Sequence, residues 1–212
     1  MSTTRFTGFS KALAAGAGAL VLLTACGGGA DHQAEAGHTA AGTASAGGAA
    51  GAAQPGAAFN DADVTFAQMM IPHHEQAVEM AELAETRASD PEVKELAAKI
   101  KGAQDPEIKT MTGWLTTWGK PVPSPGAAGH DTAHGMPGIM SGEDMTRLRE
   151  ARGAEFDRLF AELMIAHHNG AIEMARTEQT QGSDPKAIEL AKTIETAQQA
   201  EVAQMRKLLD RL

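Results

Sequence analysis

Apolar residues recur at three-and-four spacing through the second half of the chain, and nothing in it has the period-two alternation of strands. Phe66, Met69, Met70, His73, Ala77, Met80 and Ala81 fall on one helical face, with His74 at its edge. A second stretch places Phe160, Leu163, Met164, His167, Ala171, Met174 and Ala175 on the same face, with His168 at its edge. At about 100° per residue, the inner His of each stretch points toward a bundle interior.

Each stretch runs into Ser-Asp-Pro, at Ser89-Asp90-Pro91 and Ser183-Asp184-Pro185. That triplet reads as an N-cap followed by proline at the first helical position, where its missing N–H costs nothing. A second helix follows each time, with an apolar stripe through Val93, Leu96, Ile100, Met111 and Leu115, and through Leu190, Ile194, Met205 and Leu208. Neither helical hairpin can bury its stripe alone. The pattern therefore predicts an all-α four-helix bundle built from two duplicated hairpins with approximate two-fold symmetry.

The duplication is explicit, because the chain aligns with itself, without a gap, at an offset of 94 residues. Met70-Ile71-Pro72-His73-His74 matches Met164-Ile165-Ala166-His167-His168, and Ala77-Val78-Glu79-Met80-Ala81 matches Ala171-Ile172-Glu173-Met174-Ala175. Pro72 and Pro106 interrupt the first copy where the second has Ala166 and Ala200. Each removes one backbone hydrogen bond, so kinks or local bulges are expected there rather than breaks.

Composition divides the chain. Residues 1–25 read as a signal peptide: Arg5 and Lys11 precede an apolar run from Ala12 to Leu23, too short for a bilayer-spanning helix of about 20 residues. It ends in Leu23-Thr24-Ala25-Cys26, the pattern of a bacterial lipobox, which makes Cys26 the expected lipidation site and predicts a lipid-anchored protein outside the cytoplasm. Residues 26–58 are rich in Gly and Ala and read as a tether, in which His32 and His38 are solvated. The folded domain is expected over 59–212, with repeat one at 60–119, a Met/His-bearing loop at 120–142 and repeat two at 143–212.

The formal net charge is −9, and loss of Arg5 and Lys11 with the signal peptide leaves 16 basic against 27 acidic residues, a charge of −11. Nucleic acid is not an expected partner. With Cys26 the sole cysteine, no thiolate is left for catalysis or metal binding, so any soft ligand must be methionine.

Two His-His doublets in the same local frame point to metal ligation, and thioether added to imidazole selects copper, as Cu(I) or Cu(II). In the first copy Met70 precedes His74 by one turn and Met80 follows His73 by two. His130, His134, Met136 and Met140 in the connecting loop form a candidate supplementary site, because a loop methionine has no obvious core to fill. Other chemistries fit less well. His74-Glu75 lacks the second His of a zinc-protease helix, neither doublet has the Glu three residues upstream that di-iron bundles need, and no serine elbow is present. No enzymatic activity is expected. The alternative is an envelope interaction module whose methionines fill a core and whose histidines are structural; a metal-dependent oxidase is a weaker third possibility.

The doubled motif, Met70-Ile71-Pro72-His73-His74 through Ala81 and Met164-Ile165-Ala166-His167-His168 through Ala175, resembles the CopM-like family of domains of unknown function over residues 60–212. The resemblance implies a ferritin-like four-helix bundle, export from the cytoplasm and a part in copper binding and resistance. It implies ligand roles for Met70, His73, His74 and Met80 and for Met164, His167, His168 and Met174. It implies no catalytic residue. An envelope copper-handling protein is the expected macromolecular partner.

Overall fold

A computed structural model describes residues 58–124 and 136–212, all within the unit Ala49–Leu212. The expected signal peptide, Cys26, the expected tether with His32 and His38, and the loop histidines His130 and His134 lie outside the described residues. Helices α1 (Asp61–Arg87) and α2 (Pro91–Thr117) form one hairpin, and α4 (Ala154–Gln181) and α5 (Pro185–Leu209) form the other. A short α3 (Gly142–Glu150) precedes the second hairpin. The described residues contain no strand, and the four long helices make the expected all-α bundle. None of these helices is long and apolar enough to cross a membrane.

The local chemistry follows the capping signals. Asp90 and Asp184 accept hydrogen bonds from the second and third backbone N–H groups of α2 and α5, with Pro91 and Pro185 at the first helical position. Asn60 caps α1 in a reciprocal box with Asp63. α1 continues through Pro72 and α2 through Pro106 as unbroken α-helix, and no bulge forms beside His73. Pro72 is buried in the packed face and its ring forfeits only the bond to the Gln68 carbonyl, which leaves the helix intact.

Two aspartates tie the repeats together across the pseudo-two-fold axis. Asp157 of α4 accepts hydrogen bonds from the backbone N–H groups of Ser89 and Asp90 and from the Ser89 hydroxyl, in the turn of the first hairpin. Its counterpart Asp63 of α1 accepts from the N–H groups of Ser183 and Asp184, in the turn of the second. Each hairpin turn is thus closed by a buried carboxylate from the other repeat, which fixes the pairing of the hairpins.

The apolar core forms two clusters at opposite ends of the bundle. One contains Phe66, Met70, Met111 and Met174; the other contains Met80, Phe156, Phe160, Met164 and Met205. Because α1 sends Met70 to the first and Met80 to the second, the helix segment between them, with His73 and His74, lies between the clusters. The methionines therefore group across the repeats, Met70 with Met174 and Met80 with Met164, not within one repeat as their sequence spacing suggested.

Candidate metal centre

The waist of the bundle is polar and closed off from the surface. His73, His74, His167 and His168 are each 0% exposed, and the rings of His73 and His167 meet with centroids 3.8 Å apart and planes tilted by 39°. These two residues are equivalent under the 94-residue offset, so their contact lies on the approximate symmetry axis. His168 stands beside His167, with ring centroids 6.4 Å apart. The second helix of each hairpin adds a buried glutamine, Gln104 in α2 and its counterpart Gln198 in α5.

The outer histidines are held in place by carboxylates. His74 Nε2 donates to Glu107 Oε2 at 2.8 Å, and His168 Nε2 donates to Glu201 Oε2 at 2.7 Å. Such a carboxylate partner fixes ring orientation and tautomer, as it does for metal-binding imidazoles. His73 Nε2 instead donates to the Pro137 carbonyl at 3.0 Å. The inner pair is kept neutral: burial, reinforced by His74, brings His73 down to about 3. Burial, then the neighbouring His73, holds His167 well below the ordinary range. A neutral His73 that donates through Nε2 carries its lone pair on Nδ1.

That nitrogen has no partner, and neither do Nδ1 of His74, Nδ1 of His168 or either ring nitrogen of His167. Oε1 and Nε2 of Gln104 and Oε1 of Gln198 are similarly unmatched. A buried polar atom without a partner costs roughly 1–3 kcal/mol, so this concentration of unmatched buried ring and amide atoms marks the histidine layer as a candidate ligand site. Neutral imidazoles flanked by thioether clusters suit a soft or borderline cation. Among the described residues no three His, Cys, Asp or Glu side chains converge as a ready-made metal site. An ion bound at this level therefore draws on the thioethers or on rotation of the rings.

A strap closes one side of the waist. Pro137 to Met140 crosses between α1 and α4, where Gln76 Nε2 donates to the Met140 carbonyl at 3.1 Å and Gln76 Oε1 accepts from the Met140 N–H at 2.7 Å. The position equivalent to Gln76 is Gly170, and there the strap lies on the helix itself: a Cβ on Gly170 would sit 2.0 Å from the Pro137 oxygen. Gly138, at φ +73°, meets the same surface, with the Ala166 oxygen 2.7 Å from where its Cβ would be.

The strap also corrects the reading of the loop methionines. Met140 is buried in the apolar cluster with Met145 and Leu148, so it does have a core to fill, whereas Met136 is partly exposed. The sequence reading missed Glu107, Glu201, Gln104 and Gln198. Each pair is separated by the same 94 residues as the histidines, and that identity is the signal that could have exposed them.

Residues 63–209 match the family model described as "Domain of unknown function (DUF305)". No curated protein matches the chain. Among solved structures, the chain is similar to CopM in its Cu(II)-bound form, with 38% identity over 70% of this chain and 95% of that one and a TM-score of 0.61. The Cu(I)-bound form of CopM aligns at 36% identity over 68% and 93% of the respective chains, with a TM-score of 0.57. A DUF305 protein from Streptomyces coelicolor, described as secreted, aligns at 32% identity over 70% and 92%, with a TM-score of 0.64.

Proposed function

This chain belongs to the DUF305 family, and on that premise we propose that it is a non-catalytic copper-binding protein that works outside the cytoplasm, buffering copper or passing it to an envelope copper-handling partner. The observation that carries this reading is the layer of four fully buried imidazoles with unpartnered ring nitrogens between two methionine-bearing clusters. CopM, similar in sequence and fold, accepts copper in both oxidation states. A donor set of imidazole and thioether tolerates both, and carries none of the thiols that an oxidising compartment would inactivate. The lipobox around Cys26 supports attachment to a membrane surface, where such a buffer meets incoming metal.

In this reading His73 and His167 supply the central nitrogens, Glu107 and Glu201 orient His74 and His168, and the thioethers of Met70, Met80, Met164 and Met174 add soft donors from either side. Met136, next to the strap, and the loop residues His130 and His134 add weaker ligands, while Met140 fills the apolar cluster beneath the strap. Equilibrium dialysis against Cu(I) and Cu(II) tests it, using the wild type and a His73/His74/His167/His168→Ala variant. Loss of tight copper from the variant, with helix content retained, supports the function. Equal binding by both proteins overturns it.

The pairing of His74 and His168 with glutamates favours one competing reading, in which the histidines are structural and the bundle presents its surface to another envelope protein. That reading predicts a destabilised variant whose copper content equals that of the wild type.

A further inference from the structure

His73, His74, His167 and His168 are all 0% exposed, so an ion reaches them only after part of the surrounding wall moves. Parting the long helices would break both apolar clusters and the ties made by Asp63 and Asp157. Lifting the strap breaks far less: the bond from His73 to the Pro137 carbonyl, the two bonds between Gln76 and Met140, and the burial of Met140. A segment with so few ties opens locally while the rest of the domain stays folded. The Ile139 N–H donates back to the Met136 carbonyl at 3.4 Å, so the strap is a closed turn that can move as one piece.

Pro137 stands between solvent and the His73 ring. Its carbonyl accepts from His73 Nε2 at 3.0 Å, and the same residue lines a cavity of about 460 Å³ between α1 and α4. Asp61 and Glu173, both exposed, line that cavity too, so it opens to the surface. The two repeats divide the work of holding the strap. Gln76 spends both polar atoms of its side chain on the Met140 backbone, and the equivalent Gly170 provides the flat place where Pro137 and Gly138 rest. Glycine inside a helix lowers stability relative to alanine, so Gly170 serves the strap and not the helix.

We propose that the strap from Pro137 to Met140 is the entrance to the histidine layer. It lifts off Gly170, an ion passes from the cavity to the His73 and His167 rings, and the strap closes again with Gln76 as its latch. On closure the Pro137 carbonyl takes the Nε2–H of His73, which leaves Nδ1 for the ion. The identity of the ion as copper rests on the function proposed above; the opening does not.

Modification of the metal-free protein with diethyl pyrocarbonate, read by mass spectrometry at low conversion, tests the opening. Gln76→Ala, which removes the latch without adding bulk, should raise the initial rate of labelling at His73 about tenfold or more, and Gly170→Ala, which holds the strap away from α4, should do the same. His168, held against α5 by Glu201, should label at the wild-type rate. Asp157→Ala, which loosens the bundle at the turn of the first hairpin, controls for lost stability and should leave His73 slow. Transfer of Cu(I) to and from a chromophoric chelator then tests the entrance. Gln76→Ala should speed uptake and release by similar factors at unchanged equilibrium affinity, which loss of a ligand would not do. The proposal is overturned if both strap variants label like the wild type, if Asp157→Ala labels His73 as fast as they do, or if Gln76→Ala exchanges Cu(I) at the wild-type rate. A wild type that takes up no Cu(I), with the labelling difference intact, would count against the copper reading and not against the opening.

Discussion

Replacing Gly170 with alanine puts a methyl group where the strap lies on α4. The new Cβ would sit 2.0 Å from the Pro137 oxygen, 2.3 Å from its carbonyl carbon and 2.7 Å from Gly138 Cα. All three are backbone atoms, so no side chain can swing aside and the strap must lift. Lifting it breaks the two Gln76–Met140 hydrogen bonds, worth about 2 kcal/mol together, and the His73 bond, worth about 1 kcal/mol. It also exposes Met140, at about 2 kcal/mol. Against this, alanine is favoured over glycine inside a helix by about 1 kcal/mol. The net loss expected is about 2–4 kcal/mol, the lower figure applying if the strap reseats in part, and it corresponds to a fall in Tm of about 6–12 °C for a domain of this size. Gly102→Ala and Gly113→Ala are the controls: both sit inside α2 with nothing near the added Cβ, and each should gain up to about 1 kcal/mol. Thermal unfolding of the metal-free proteins reads all three. A Gly170→Ala protein that melts at or above the wild type would refute the strap's placement.

Asp157→Ala should cost about 3 kcal/mol in urea unfolding, because it strips the charged acceptor from the N–H groups of Ser89 and Asp90. Glu107→Ala should lower stability by about 1–3 kcal/mol by leaving His74 Nε2 buried without an acceptor, and should weaken copper binding about 10–100-fold in dialysis. Two groups give pH dependence of opposite sign. His73 takes its proton near 3 when folded and near 6.5 when unfolded, so stability is highest above 6.5 and is lost as pH falls toward 3. Glu178 holds its proton to about 8 when folded but only to 4.5 when unfolded, so its contribution is fully present below 4.5 and is lost as pH rises toward 8. Urea midpoints at pH 5, 7 and 9 should show Glu178→Gln gaining on the wild type only at the higher values.

The hairpins were legible because their signals are local. Ser-Asp-Pro marks both second helices whatever they pack against, and the three-and-four spacing of Phe66 to Ala81 marks the buried face. The histidine doublets stood out for the same reason. What the spacing could not convey is how the repeats face each other. Grouping Met70 with Met80 by sequence distance was natural, yet the antiparallel approach of α1 and α4 sends them to different clusters and pairs each with the other repeat. The strap was invisible because its evidence is a broken symmetry: Gln76 against Gly170, one gripping the loop by its side chain and the other yielding space to it. Gly138 and Gly170 acquire meaning only once Pro137 is seen between them. The burial of Met140 was misjudged on the same ground, since a segment that crosses a bundle has a core beneath it even where it forms no helix.

The central claim is that copper is held at the waist, where the His73 and His167 rings meet. Anomalous diffraction at the copper edge from crystals soaked in Cu(I) locates the metal without assumption about its ligands. A peak within bonding distance of a ring nitrogen of His73 or His167, and absent from a His73→Ala/His167→Ala crystal, is the expected result. Copper found only on surface carboxylates or loop side chains, with all four buried rings arranged as they are without metal, would contradict the account.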